Sequence, residues 1–256
     1  VYIIRDKGFI IMGLARLVSA SQAQEYYYEK DPISAADGKG ENAEWYGQQM
    51  IADFNLTSVT NEQFGAFVQG LDPNTLEVLV QGKRMKNEEG EIIEEHRAGI
   101  DFAFSAPKSV SIAALHLGDQ KVIQAHQAAV LKTLEYMEKN LIQYRETVDD
   151  KIIRVPTQNM CAATFMHTTS RENDPQLHTH CVVLNMVKTA DEEYKALSNE
   201  LLIKNQGLLN RIYQNELALL IQHECGYAID KYSNKFEIAG VSKEVRDLFS
   251  KRTDLI

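Results

Sequence analysis

The sequence predicts a mixed α+β domain, and two observations support that prediction. Lys121–Ile142 repeats apolar residues at roughly helical spacing, which predicts a long amphipathic helix. Two apolar segments, Met160–His167 and Leu177–Val187, predict strands, and the polar connection between them is short enough for an antiparallel pair. Helices and antiparallel strands mixed along one chain are typical of the α+β class.

The elements predicted in the first hundred residues are short. Ser19 and Gln22 have the spacing of a capping box and predict a helix over residues 20–30, which ends at Asp31-Pro32 because a residue before proline avoids the helical region. The remaining predictions are a loop at Gly38 and Gly40, short helices over Trp45–Ile51 and Asn61–Gln69, a strand over Thr75–Val80, and a charged, solvent-exposed hairpin or loop over Lys83–Glu95.

The later elements alternate between strands and helices. Ile100–Phe104 alternates like a half-buried strand, and Ser105 is predicted to be the N-cap of a helix that reaches Leu117 and tolerates Pro107 in its first turn. Further predictions are a strand over Lys151–Pro156, a helix over Gln206–Glu224 closed by Gly226, and a hairpin of Tyr227–Ile229 with Lys235–Ile238 around Ser233-Asn234.

Composition narrows the class of protein. The chain has 256 residues, 44% of them apolar, with 36 acidic and 27 basic side chains and a formal net charge of −9. These values are ordinary for a globular protein and exclude intrinsic disorder, and no apolar run reaches the roughly 18 residues of a membrane-spanning helix. Nucleic-acid-binding domains are usually basic, so the acidity argues weakly against that class, although much of it lies in the run Glu88–Glu95.

The ends and the cysteines suggest a domain of a cytoplasmic protein. The chain has only three cysteines, and this small, odd number does not suggest a disulfide framework, which favours a reducing compartment. Val1–Ile11 lacks the layout of a signal peptide, so we expect residues 1–11 to be an extension before a start at Met12 and residues 12–256 to be one domain. The charged helical pattern Ser242–Arg252 is expected to continue into a longer protein.

Three histidines form a candidate metal site. His178 and His180 lie two residues apart on a predicted strand and therefore point to the same face, and a hairpin would bring His167 next to them. Three imidazoles suit a divalent transition metal such as Zn, Mn, Fe, Ni or Cu, whereas Mg usually requires oxygen ligands that a substrate phosphate would supply. Such a metal polarises a phosphoryl oxygen or activates water.

Tyr26, Tyr27 and Tyr28 are candidates for a nucleophile or for aromatic packing. Neighbours on a helix are about 100° apart, so the three rings cannot share one face. A phenol has a pKa near ~10, so forming its anion at neutral pH costs about 4 kcal/mol without help from a base or a positive charge. Asp101, an acidic residue in an apolar segment, is a candidate to accept that proton, to orient a metal-ligating histidine, or simply to cap a turn.

Two longer strings make a family resemblance specific. They are His96-Arg-Ala-Gly-Ile-Asp101-Phe-Ala-Phe-Ser-Ala-Pro-Lys-Ser-Val-Ser111 and Asp174-Pro-Gln-Leu-His-Thr-His180. Together with the tyrosine cluster, they resemble the relaxase domain of conjugative relaxases of the TrwC/TraI (MobF) type, within the HUH endonucleases. The resemblance runs from about Met12 to the end of the chain.

The resemblance implies a fold and an activity. The fold is a circularly permuted arrangement with a central antiparallel sheet flanked by helices. The activity is nicking of one DNA strand at a conjugative origin of transfer, with a covalent 5′-phosphotyrosine intermediate and later rejoining. The implied partners are single-stranded origin DNA, relaxosome accessory proteins and a type IV secretion system, without membrane insertion. The implied location is the bacterial cytoplasm, with export alongside the DNA as a further possibility, and a helicase is expected to follow the domain.

The resemblance also assigns roles to residues. Tyr26 falls on the nucleophile with Tyr27 as the runner-up, Asp101 falls on the acidic residue beside the metal, and the three histidines fall on the ligands of a divalent ion, Mg, Mn or Zn. Many members have a second tyrosine pair a few residues later, but Pro32–Asp37 contains none. One tyrosine acting twice, or two protomers, is therefore expected. The glycine-rich string that usually follows the tryptophan is also eroded, since only Trp45-Tyr-Gly47 remains.

Contacts to DNA and rival functions stay open at this point. Arg97, Lys108 and Arg171 are candidates for phosphate contacts, each with a solvated surface charge as the alternative. A rolling-circle replication initiator has the same chemistry but usually places its tyrosine after the histidines. A metal-dependent hydrolase of small molecules would form no covalent DNA adduct, and a catalytically silent DNA-binding module would still bind without the histidines.

Overall fold

The fold is built around a six-stranded antiparallel sheet. The structure is a computed structural model that describes residues 12–17, 42–86, 92–170, 174–232 and 235–250. Its strands are β1 (Met12–Leu17), β2 (Ala43–Tyr46), β3 (Lys83–Lys86), β4 (Ile92–Glu95), β5 (Gly99–Ser105), β6 (Gln143–Val148), β7 (Lys151–Pro156), β8 (Met160–Thr169), β9 (Pro175–Lys188), β10 (Tyr194–Lys195), β11 (Ile229–Tyr232) and β12 (Lys235–Ile238).

Helices cover both faces of the sheet. They are α1 (Gln48–Phe54), α2 (Asn61–Val68), α3 (Lys108–Leu115), α4 (Gln120–Leu141), α5 (Glu200–Lys204), α6 (Gln206–His223) and α7 (Lys243–Leu248). In the described part of the chain, no helix is both long enough and apolar enough to cross a bilayer.

The strand order of the main sheet is β1-β5-β9-β8-β2, and β10 pairs with the end of β9. Every pairing in it is antiparallel. The 14-residue strand β9 lies at the centre, between β5 and β8. Three separate two-stranded ribbons, β3–β4, β6–β7 and β11–β12, complete the strands of the described chain.

Each face of the sheet has its own hydrophobic core. Leu177, Cys181 and Val183 of β9 pack with residues of α3, α4 and α6 on one face. Val182 and Leu184 face the other way and pack with residues of α1 and α2. Because both faces of β9 are covered, its sequence after His180 is an almost continuous apolar run rather than an alternating one.

The predicted α+β class and the main elements are confirmed. The structure contains the predicted helices as α2, α4 and α6, the predicted strand Ile100–Phe104 within β5, and the antiparallel pair as β8 and β9. However, β5 is buried on both faces and not half-buried as predicted, since Asp101 is as buried as its neighbours Ile100 and Phe102. The charged segment before residue 96 is the hairpin β3–β4, and the predicted C-terminal hairpin is β11–β12. Gly226 has a φ of 76°, a left-handed conformation that suits glycine after the end of α6.

Other predictions were wrong in detail. Trp45–Ile51 is divided between β2 and α1 at Gly47, which has a φ of 120°. Thr75–Val80 is a turn-rich segment with one isolated bridge between Leu71 and Val78, because Asp72 accepts hydrogen bonds from the next backbone amides and bends the chain.

The start of α3 also differs from the prediction. Ser105 is the last residue of β5, and Pro107 is the N-cap of α3 without a side-chain capping bond. The predicted strand Lys151–Pro156 is correct as β7, but its partner β6 was missed because its sequence is mostly polar. The predicted helix over residues 20–30, the loop at Gly38 and Gly40 and the turn at Ser233-Asn234 lie outside the described residues.

Candidate metal centre

The three predicted histidines lie together on one face of the central sheet. His178 and His180 alternate with Thr179 along β9, and the pairing of β8 with β9 places His167 directly opposite His178. The ring centroids of His167 and His178 are 5.1 Å apart, and both rings lie 5.3 Å from the ring of His180. Strand pairing thus forms a nearly equilateral triangle of imidazoles.

The size of this triangle suits a shared metal ion. Imidazoles that bind one metal at about 2.0–2.1 Å through nitrogen have ring centroids about 5 Å apart. As the side chains stand, no three His, Cys, Asp or Glu residues in the described part of the chain are arranged to hold a metal ion. The triangle is therefore a set of candidate ligands with the right donor type and spacing rather than a preformed cage.

Asp101 supports His180 from the neighbouring strand. It pairs with Val182, two residues beyond His180, so both side chains share a face. The His180 Nδ1–H donates to Asp101 Oδ2 at 2.7 Å, and Asp101 is 3% exposed. The other oxygen, Oδ1, is buried without a hydrogen-bond partner among the described residues. Asp101 therefore orients the ring and sets its tautomer so that the lone pair is on Nε2.

His178 is oriented by its own strand. Its Nδ1 lies 2.9 Å from the backbone oxygen of Gln176, which as an acceptor requires the proton on Nδ1. The lone pair of His178 is therefore also on Nε2. Two of the three rings thus have the tautomer that metal-ligating histidines adopt when the second nitrogen is hydrogen-bonded to an acceptor.

The β5–α3 connection holds the start of β9. Ala106 exchanges two hydrogen bonds with β9, donating its N–H to Leu177 O at 3.0 Å and accepting from Gln176 Nε2 at 3.1 Å. The ammonium of Lys108 donates to Pro175 O at 2.9 Å, and Ser111 Oγ accepts from Leu177 N–H at 3.1 Å. These bonds join the two sequence strings of the resemblance immediately before His178.

Lys108 is accordingly half-buried. Burial lowers the pKa of its ammonium, while the negative charges of Asp174 and Glu237 act in the opposite direction. Glu237 Oε2 also accepts the backbone N–H of Ser109 at 3.0 Å, so a carboxylate of the chain itself lies at the N-terminus of α3.

A polar network lies behind the histidines, on the other face of the sheet. The ring of His126, in α4, is fully buried. Its Nε2 lies 2.8 Å from Thr179 Oγ1 and its Nδ1 lies 2.8 Å from the hydroxyl oxygen of Tyr213, in α6. Burial, and to a lesser degree the charge on His178, lowers the pKa of His126 to about 3, so the ring is neutral at physiological pH.

The structure brings together only part of the predicted site. The three histidines and Asp101 meet, and Lys108 lies at the same end of the sheet. Arg97 is exposed but precedes the Gly99 end of β5, whereas Ser105 at the other end pairs with His178. Tyr26, Tyr27 and Arg171 lie outside the described residues.

Sequence reasoning named Asp101 as a candidate to orient a ligand, but it missed the other polar groups next to the histidines of β9. The backbone oxygen of Gln176 has no side-chain signature. His126 does have one, because it is a polar residue on the mostly apolar face of α4, where it is as buried as Val122 and Ala129.

Comparisons with known proteins match one family over most of the chain. Residues 14–256 match the family model described as TrwC relaxase. The multifunctional conjugation protein TraI of Escherichia coli K12 is 34% identical over 208 residues, which is 81% of this chain and 11% of that protein. A second TraI from Escherichia coli is 33% identical over 257 residues, or 96% of this chain and 14% of the relative. The chain therefore spans only a small part of these relatives.

Solved structures of TrwC are also similar. A metal-bound complex of the conjugative relaxase TrwC with oriT DNA is 34% identical, with a TM-score of 0.79 over 95% of this chain and 80% of that one. A complex of TrwC with a 27-mer DNA that comprises the recognition hairpin and the cleavage site is 32% identical, with a TM-score of 0.77 over the same shares of the two chains.

Proposed function

The chain belongs to the TrwC relaxase family, and on this premise we propose that it nicks and rejoins one strand of DNA at a conjugative origin of transfer. The observation that carries the proposal is the triangle of His167, His178 and His180 with Asp101 bonded to His180, on a sheet similar to that of TrwC. One of the similar TrwC structures holds both oriT DNA and metal, and we extend both to this chain.

We propose that the three histidines bind a divalent ion. Their lone pairs, two of them directed to Nε2 by the Nδ1 contacts, are the donors, and Mg, Mn and Zn remain the candidates. When bound, such an ion would stabilise negative charge on the non-bridging oxygens of the scissile phosphate. The role of Asp101 in this proposal is to hold His180 in the ligating tautomer and to raise its basicity.

The proposed nucleophile is Tyr26, with Tyr27 as the alternative. The phenol oxygen forms a bond to phosphorus, the bond to the 3′ oxygen breaks, and the 3′ hydroxyl leaves. The product keeps a phosphate diester, so the reverse step rejoins the strand without ATP. Tyr26 follows Leu17, the end of β1, by nine residues. Such a length reaches at most about 30 Å, enough to return along β5 from Gly99 to the pairing of Ala103 with His180.

The proposed contacts to DNA depend on where each basic residue lies along the chain. Arg171 lies in the connection between the two ligand strands, and we propose it as a phosphate contact. Lys108 is near the site, but its ammonium is bonded to Pro175 O, so we propose a structural contribution for it. Arg97 is exposed at the other end of β5, where it is suited to contact only DNA that extends beyond the site.

We also propose the cellular setting. The chain would act on single-stranded origin DNA with accessory proteins of the relaxosome and a type IV secretion system. A cytoplasmic location fits the cysteines, since Cys161, Cys181 and Cys225 are all free. Pro32–Asp37 has no tyrosine, so one tyrosine would serve both nicking and rejoining, or a second protomer would supply the other.

The test is formation of a covalent adduct. The protein is incubated with labelled single-stranded DNA from the origin of its own element, with Mn²⁺ or with chelator, and analysed on a denaturing gel. We expect an adduct with metal that is lost with chelator and in Tyr26→Phe, and retained in Tyr27→Phe. Loss only in Tyr27→Phe would exchange the two tyrosines. Turnover of phosphate esters without an adduct would favour a hydrolase, and origin binding without the histidines and without cleavage would favour a binding module.

A further inference from the structure

The residue between the two ligands of β9 is held from the far side of the sheet. Thr179 points away from His178 and His180 because side chains alternate along a strand, and it is 5% exposed. Its hydroxyl oxygen lies 2.8 Å from Nε2 of the fully buried His126. In addition to the apolar packing between them, this polar interaction joins helix α4 to the strand that carries both candidate ligands.

The partner of His126 is itself fixed. Tyr213 is fully buried, its hydroxyl lies 2.8 Å from His126 Nδ1, and its ring meets the His126 ring edge-on at a centroid distance of 5.7 Å. Tyr213 also packs on Phe104, at 5.4 Å, and Phe104 is the β5 residue that pairs with Thr179. Tyr213 of α6 and His126 of α4 therefore contact β5 and β9 at two residues that pair with each other, Phe104 and Thr179.

The imidazole ring of His126 can form hydrogen bonds with both hydroxyl groups at once. A neutral imidazole has one donor and one acceptor nitrogen, and both partners are hydroxyls that can take either part. The ring thus satisfies Tyr213 and Thr179 simultaneously without any charge in the core. An apolar residue at Thr179 would leave a ring nitrogen of His126 buried without this partner.

We propose that Thr179 and His126 are positioning residues for the metal centre, and that the bond between them holds the ligands at either side of Thr179. Rotation of β9 about its own axis moves side chains on both faces together, so holding Thr179 on the rear face fixes the direction of His178 and His180 on the front face. The inference rests on the proposed function because the metal centre is part of that proposal. The hydrogen-bond network behind the histidines is a property of the fold itself.

The experiment compares three single variants of the whole chain. Thr179→Val keeps the branched shape and removes the hydroxyl, while Thr179→Ser keeps the hydroxyl and removes the methyl. Thr133→Val is the matched control, because Thr133 is also fully buried on α4 and its hydroxyl donates to Ala129 O at 2.8 Å, without a bond to β9. Thermal unfolding of each variant reports the loss of stability.

Two readouts separate positioning from stability. The first is the side-chain ¹⁵N NMR signals of His178 and His180 in the metal-free protein. The second is the Kd for Mn²⁺ by calorimetry. We expect Thr179→Val to shift both histidine signals and to weaken Mn²⁺ binding about tenfold, at the lower end of the range for groups that support metal ligands. Thr179→Ser and Thr133→Val should leave both readouts close to those of the wild type.

Unchanged histidine signals in Thr179→Val, or equal changes in Thr133→Val, would overturn the proposal. The NMR readout needs neither DNA nor metal, so it separates this inference from the proposed function. A wild-type chain that forms no adduct but whose histidine signals respond to Thr179→Val refutes the function and supports the positioning role. A chain that nicks DNA but whose histidine signals do not respond to Thr179→Val supports the proposed function and refutes the positioning role.

Discussion

Replacing Asp101 by asparagine tests the support of His180 most sharply. The bond from His180 Nδ1 to Asp101 Oδ2 is 2.7 Å long, and the two side chains are 11% and 4% exposed. Hydrogen bonds to a charged group contribute about 1.5–3 kcal/mol against about 1 kcal/mol for neutral pairs. The substitution therefore removes about 0.5–2 kcal/mol of support, which corresponds to a roughly twofold to thirtyfold change in an equilibrium constant.

Neither orientation of the new amide restores the site. If its oxygen faces His180, its NH₂ group takes the buried place of Oδ1, which has no hydrogen-bond partner among the described residues. If its NH₂ group faces His180, the ring must accept at Nδ1 and carry its proton on Nε2, the tautomer that cannot ligate. We therefore expect the Kd for Mn²⁺ to rise about tenfold in Asp101→Asn.

The assay is calorimetric titration of the metal-stripped chain with Mn²⁺. Glu138→Gln is the matched control, because Glu138 is also a partly buried carboxylate and accepts from Tyr46 OH at 3.1 Å and from Met160 N–H at 3.0 Å. Met160 begins β8, while His167 lies near the opposite end of that strand. If the Kd of Asp101→Asn for Mn²⁺ stays within about twofold of the wild-type value in a protein that remains folded, Asp101 does not support His180 as a ligand.

Three further predictions concern Lys108, His126 and Gly99, which support the site or the sheet around it. Lys108→Met should weaken Mn²⁺ binding severalfold by releasing Pro175 O, while the salt dependence of binding to single-stranded DNA stays unchanged. If the slope of log K for DNA binding against log salt concentration became smaller by about 0.7, Lys108 would instead contact a phosphate. The unfolded ring of His126 takes up a proton below a pKa of 6.5, whereas the folded ring resists protonation down to about 3, so stability is complete above pH 7 and falls on acidification. Urea unfolding should show a loss of about 2 kcal/mol between pH 7 and pH 5 through this group, and a flatter profile in His126→Gln. Gly99→Ala places a Cβ 2.3 Å from Val183 O and should lower the free energy of unfolding by about 2–3 kcal/mol in a denaturant titration; an unchanged midpoint would contradict this close approach.

The periodic parts of the fold could be read from the sequence. The long helix α4 has a helical period, whereas β8 and β9 are apolar segments of strand length that a short polar connection separates. Thr75–Val80 has the apolar content of a strand, but Gly70, at a φ of 76°, and the side-chain hydrogen bonds of Asp72 turn the chain there. Local turn chemistry therefore outweighed apolar content.

The candidate site was predictable to the extent that it depends on side-chain alternation. The two-residue spacing of His178 and His180 specifies a shared face, and the hairpin adds His167. The partners of these rings come from distant parts of the chain. Asp101 lies 79 residues from His180, and His126 lies 53 residues from Thr179, so the pairings exist only once the sheet and helices have assembled.

The central claim is that a tyrosine of this chain attacks DNA beside the histidine triangle. Peptide mapping by mass spectrometry of the covalent product, formed with Mn²⁺ on single-stranded DNA from the element's own origin, tests it directly. We expect a 5′-phosphonucleotide mass on the peptide that contains Tyr26, and none when the metal is chelated. Cleaved DNA with no modified tyrosine peptide would contradict the claim.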